Sequence, residues 1–156
     1  MSKKAIISIC STQDIGEKEK IEVVTVGKFS INGDEFIATY DETEISGMEG
    51  TKTTLKIKND KVVLHREGTT STKMEFQKDN TQVALYNTPY GMLELKTSTK
   101  ELDLDVNEKG GNISIKYHLI AGGQEPIKTN LDMKIKVEDW SSNKNKAVPK
   151  GSALFL

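Results

Sequence analysis

Arginine occurs once in this chain. Of its 22 basic residues only Arg66 is an arginine. A guanidinium offers a planar fork of donors that fits a carboxylate or phosphate, whereas lysine brings only a point charge. The chain uses lysine wherever any positive charge will serve, so the solitary arginine is the residue to trace. In "LKIKNDKVVLHREG" Arg66 follows Val62 and Leu64 at a spacing of two, which puts it on the apolar side of an extended segment. A charge turned inward is costly unless it is paired and hydrogen-bonded. Glu42 is the partner in phase, alternating with Phe36, Ala38 and Tyr40. Thr53, Thr72, Tyr86 and Tyr40 supply neutral hydroxyls on the same side. Two chemistries follow from this set. Arg66 holds a ligand carboxylate or phosphate with Tyr86 and the threonines as further donors, or Arg66 and Glu42 form an internal ion pair that closes one end of the fold.

The remaining chemistry-bearing residues are weaker. His65 and His118 fall on the opposite, polar side of their segments and have no matching cysteine pair or third histidine, so they make a poor metal site. Asp103 and Asp105 share one side of a segment but alternate with Leu102 and Leu104, which reads as a solvated face and not as a glycosidase pair. Cys10 has no base or cation beside it and reads as an apolar filler. The glycine pairs at 110–111 and 122–123 serve loops, because no strand-to-helix context exists for phosphate cradling. "NIS" at 112–114 fits the glycosylation pattern, which a cytoplasmic location leaves idle. No catalytic constellation and no cofactor site is expected.

The elements that must position Arg66 are strands. Period-two alternation recurs from end to end, with Ile, Val, Thr and Tyr between turns of Gly, Asn or Asp, and no window of a dozen residues carries a helical period. Strands are predicted at 3–10, 20–29, 34–43, 51–58, 61–67, 70–77, 81–88, 91–98, 101–107, 112–120 and 125–138. Such spacing points to an all-β antiparallel up-and-down meander, closed as a barrel or folded as a sandwich. A two-residue loop at Asn59-Asp60 pairs Ile57 with Val62, Leu55 with Leu64 and Thr53 with Arg66. A loop at Gly68-Thr69-Thr70 pairs Leu64 with Met74, Val62 with Phe76 and Arg66 with Thr72. Thr88-Pro89-Tyr90-Gly91 fits a type I turn that sets Tyr86 against Leu93 and Ala84 against Leu95. Downstream, loops at Thr99-Lys100, Lys109-Gly110 and 121–123 pair Leu95 with Leu104, Leu104 with Ile115 and Ile113 with Leu131. The joint between these halves is 78–80, where only an odd loop keeps Met74 and Tyr86 on one face. Leu55, Ile57, Leu64, Leu93, Leu95, Leu104, Ile115 and Leu131 are then expected in one core, with Thr53, Arg66, Thr72 and Tyr86 as a polar row beside it.

Composition bounds the class. A chain of 156 residues suits one domain, which at this size buries roughly 70% of its unfolded surface. That domain is assigned to 1–140, and from Ser141 the alternation stops, so 141–156 are expected as a loosely ordered tail. Lys and Arg number 22 against 23 Asp and Glu, so no basic field indicates nucleic acid. The first apolar stretch is shorter than a signal-peptide core, and nothing approaches the roughly 20 apolar residues of a membrane span. A lone Cys10 suits a reducing compartment. The expectation is a cytoplasmic protein that is not an enzyme, with no membrane contact and no nucleic-acid partner indicated.

"GTKTTLKI" with "VVLHREG", then "YNTPYGMLELKT" and "GNISIKYHL", resembles the small bacterial YwiB-like proteins, a family of domains of unknown function (DUF1934) with a calycin-like, lipocalin-type barrel. The similarity spans about residues 3 to 138. It implies closure into a barrel, and it supplies no catalytic residues. Barrels of this size hold a small ligand or are filled by side chains. A small-molecule carrier or sensor using the interior near Arg66 is the first expectation, and an interaction module with a filled barrel the alternative.

Overall fold

The computed structural model describes residues 2–14, 17–122 and 124–138. The expected tail, 141–156, lies outside them. Among the described residues alternation produces ten strands: β1 (Ser2–Asp14), β2 (Lys18–Asn32), β3 (Glu35–Asp41), β4 (Thr51–Lys58), β5 (Lys61–Gly68), β6 (Thr72–Gln77), β7 (Thr81–Thr88), β8 (Gly91–Asn107), β9 (Gly110–Ala121) and β10 (Ile127–Val137). A single 3-10 turn, Glu44–Ser46, lies between β3 and β4. All paired neighbours are antiparallel, in the order β6-β5-β4-β3-β2-β1-β10-β9-β8-β7. The first and last strands pair from Ala5–Val137 to Asp14–Lys128, so the meander closes on itself and its one break falls in mid-chain, between β6 and β7.

That break is the joint at 78–80. A backbone bridge links Ser71 and Asn87 in both directions, at 2.9 and 2.8 Å. Lower down, the Glu75 amide donates to the Gln82 side chain. The β6–β7 turn bonds β8 instead, with the Asp79 amide 3.0 Å from the Thr99 carbonyl and the Thr99 amide 2.9 Å from that of Asn80. The Ser71–Asn87 register corresponds to an odd, three-residue loop, which sets Thr72 beside Tyr86 on the inner face.

The hairpins around Arg66 and the β7–β8 pairing follow the alternation. The expected hairpin at Thr99-Lys100 does not form. β8 runs straight through, and a bulge between Thr99 and Glu101 absorbs one residue. Leu95, Thr97 and Thr99 face inward on one side of it, and Leu102, Leu104 and Val106 on the other. The phase switch that reads as a turn is therefore a bulge, which leaves an extra residue unpaired and bends the strand. The two following hairpins are each displaced by two residues. Leu104 pairs Ile113 and Leu102 pairs Ile115, while Ile115 pairs Leu131 and Tyr117 pairs Thr129. A slip of two leaves every side chain on its expected face. The β8–β9 turn falls one residue early because the Asn107 side chain accepts the Lys109 amide at 2.8 Å, and Gly110 and Gly111 then take φ of 106° and 150°, which favour glycine.

The core fills the end of the barrel closed by the β2–β3, β4–β5, β6–β7 and β8–β9 turns. Phe29 stacks on Phe36 with ring centroids 5.9 Å apart, and Phe76 meets Tyr117 at 4.8 Å. Ile7, Leu55, Val62, Ile113 and Ile115 are buried around them. Leu93, expected in this core, is 51% exposed. Its hairpin projects past Leu95–Ala121, the last β8–β9 pair, so its inner face has nothing to meet. At the open end β2 also parts from β3, which pairs only Lys28–Asn32. Divergence begins at Gly27, where a Cβ would collide with the Thr39 carbonyl and the Ile7 side chain. The 3-10 turn packs against β2 there.

Candidate functional site

Consecutive cross-strand pairs bring the polar row together: Tyr40 with Thr53, Thr53 with Arg66, Arg66 with Thr72. Tyr86 continues it across the seam. Glu42 lies one step beyond β3, held by its amide to the Thr51 carbonyl at 2.8 Å. The Thr53 hydroxyl donates to Glu42 Oε2, and Arg66 Nε lies 3.7 Å from the same oxygen. The side chain of Glu42 is 4% exposed and that of Arg66 18%. The inward arginine thus has the carboxylate that burial demands. The pairing is through one nitrogen and not a parallel fork. Among the described residues, Arg66 Nε and the hydroxyls of Thr72, Thr97 and Thr99 are buried without a hydrogen-bond partner.

Tyr40 and Tyr117 feel the same surroundings. Burial, followed by the Glu42 carboxylate, pushes the Tyr40 phenol well above its ordinary value, and Arg66 only partly opposes this. Burial raises Tyr117, with Arg66 again opposing. A buried phenol whose folded-state pKa is raised keeps its proton after the unfolded chain has lost it, so its contribution to stability is intact below about pH 10 and is lost as pH climbs beyond that. Alkaline titration followed by tyrosinate absorbance should show late-ionising phenols. Tyr40→Phe and Tyr117→Phe should each remove one of them, and if all four phenols (the chain's total) titrated together near pH 10, the buried placement would be wrong.

Above the packed end, the barrel encloses an open cavity of about 670 Å³. Arg66, Glu42, Tyr40 and Tyr86 line it together with Leu64, Met74, Leu95, Tyr117, Leu119 and Leu131. Thr53 and Thr72 stand behind this lining as neighbours of Arg66. Ile9, Ser11, Gln13, Ile21 and Val23 of β1 and β2, and Met48 and Glu49 beyond the 3-10 turn, complete the wall. Sequence reasoning missed these because it left β1 and β2 unpaired, although the alternation of Ile9 with Ser11 and of Ile21 with Val23 carried the signal. Tyr90, assigned only to a turn, stands at the cavity's rim.

The other candidates lie outside the cup. His65 Nδ1 is 3.1 Å from Glu67 Oε1 on the outer surface. His118 is also on the outer face, its pKa lowered by partial burial and by Lys100 and Lys128. Asp103 and Asp105 are exposed, and Cys10 is half-buried between Glu22 and Asp132 of the adjacent strands. Among the described residues no group of three His, Cys, Asp or Glu could hold a metal ion.

Residues 7–133 match the model of a domain of unknown function, DUF1934. The chain belongs to the DUF1934 family. It is 31% identical over 120 residues to the uncharacterized β-barrel protein YwiB of Bacillus subtilis (strain 168), an alignment that covers 76% of this chain and 82% of that one. The crystal structure of ywiB protein from Bacillus subtilis matches with a TM-score of 0.78 at 26% identity, over 88% of this chain and 94% of the other. This DUF1934 barrel is therefore shared with its relative across nearly the whole described fold.

Proposed function

We propose that this protein is a small-molecule carrier or sensor that takes one ligand into the open half of its barrel, beside Arg66 and Glu42. The observation that carries this reading is the cavity of about 670 Å³ above a packed floor, a size within the range of ligand pockets, with an apolar wall and a few convergent polar groups. Its apolar wall suits the body of a ligand, and the Arg66–Glu42–Thr53 corner suits a head group. Carriage or sensing is preferred to turnover because the one buried ion pair at the site is committed to itself. Val83, Leu85 and Met92, exposed together on the outer face of β7 and β8, favour a second reading, an interaction module acting through that face.

Titration with the uncharged fluorophore Nile red separates the two readings. Saturable one-to-one binding is expected, and Leu119→Trp, which puts an indole into the cup, should weaken it at least about tenfold. Leu85→Ser should leave it unchanged. If Leu85→Ser abolished binding and Leu119→Trp did not, the outer face would be the site and the cup reading would fall.

A further inference from the structure

Building on the cup as a binding site, we propose that its ligand is an organic cation, an ammonium or amidinium group on an apolar body, and not an anion. Arg66 is the natural suspect for anion binding, but its charge is already matched by Glu42 at 3.7 Å. An anion would have to compete with a buried carboxylate that cannot retreat, since Glu42 is held by the Thr53 hydroxyl and its side chain is 4% exposed. With Glu49 also in the wall, the acidic and basic side chains lining the cavity are two carboxylates against one guanidinium among the described residues.

Two further observations point the same way. The chain has four tyrosines, and all of them, Tyr40, Tyr86, Tyr90 and Tyr117, line this cavity, from floor to rim. Aromatic faces attract alkylammonium groups, and the attraction grows when the cation is desolvated. At the open end the loops and strand ends carry Asp14, Glu17, Glu44, Glu49, Glu67 and Glu125 against Lys18, Lys52 and Lys128. A negative mouth over a low-dielectric cavity raises the local concentration of cations and repels anions.

The test compares one apolar body with three heads: octyltrimethylammonium, octanol and octanoate, titrated calorimetrically into the full-length protein at low and high salt. The ammonium is expected to bind at least about tenfold tighter than octanol, with octanoate weakest, and the preference should shrink as salt screens the mouth. Glu49→Gln, a change on an exposed loop, should weaken the ammonium about threefold and leave octanol unchanged. Octanoate binding tightest, or all three binding equally, would overturn the cation while leaving the cup a ligand site. Ammonium binding that survives Leu119→Arg, which fills the cup with a like charge and adds no aromatic face, would place the cation on the acidic surface outside, and would also overturn the inference. If none of the three bound saturably, the cup reading itself would fail and the cation with it.

Discussion

Arg66→Met is expected to destabilise the protein by about 3 to 5 kcal/mol, and Glu42→Leu by a similar amount, because each leaves one charge buried without its partner. The double variant should be far milder than the sum. Once both charges are gone, the corner is replaced by apolar side chains of similar bulk, and desolvation no longer penalises either state. Arg66→Met strands Glu42, whose side chain is 4% exposed, so it belongs at the upper end of the range, whereas Glu42→Leu strands Arg66, which keeps 18% of its side-chain surface and faces the open cup, and belongs at the low end. Urea unfolding of the wild type, both single variants and the double variant gives the coupling directly. Additive single effects would show that the two charges do not sense each other at 3.7 Å. Arg66→Lys keeps the charge and loses the fork. It should therefore lie close to the wild type in stability, which distinguishes a need for charge from a need for geometry.

This corner was legible in the sequence because every step leading to it is local. Thr53, Arg66 and Thr72 are joined by two short hairpins whose loop lengths fix the parity, and parity alone decides which side chains face inward. Glu42 needed only phase with Phe36, Ala38 and Tyr40. What failed were inferences that parity cannot support. The inward set moves from Leu95, Thr97 and Thr99 to Leu102, Leu104 and Val106, and either a turn or a bulge produces that shift. The backbone bonds from Asp79 and Asn80 to Thr99, which hold β8 straight, come from a turn some twenty residues away in the sequence. Leu93 alternates correctly and still faces solvent, because exposure at a hairpin tip depends on where the neighbouring strand ends, and β9 ends at Ala121. The cavity was beyond the sequence for the same reason. Its wall on the β1–β2 side comes from the pairing of Ile9 with Val23 and Ser11 with Ile21, and the fullness of a barrel depends on how all ten strands tilt.

Leu55→Ala should cost about 4 kcal/mol, toward the upper end of the range for such truncations, and Leu119→Ala well under half of that. The chemistry deleted is the same, so the difference isolates packing. Leu55 is fully buried, between Ala38 on β3 and Leu64 on β5, in the half of the barrel that Phe29 and Phe76 fill. Its removal leaves a void that a closed ring of hydrogen-bonded strands cannot collapse, so the cavity term adds to the lost transfer free energy. Leu119 is only partly buried and already faces the open cup. Truncating it enlarges a space that exists and forfeits contacts on one side only. Leu93→Ala, at the projecting tip, should fall within about 0.5 kcal/mol of the wild type. Chemical denaturation of the three variants measures the gradient from floor to mouth. Equal costs at Leu55 and Leu119 would mean that the upper half is packed as tightly as the lower, and a ligand would then have no room to enter. A steep gradient would mean that stability resides in the floor, leaving the mouth residues free to be shaped by what they bind.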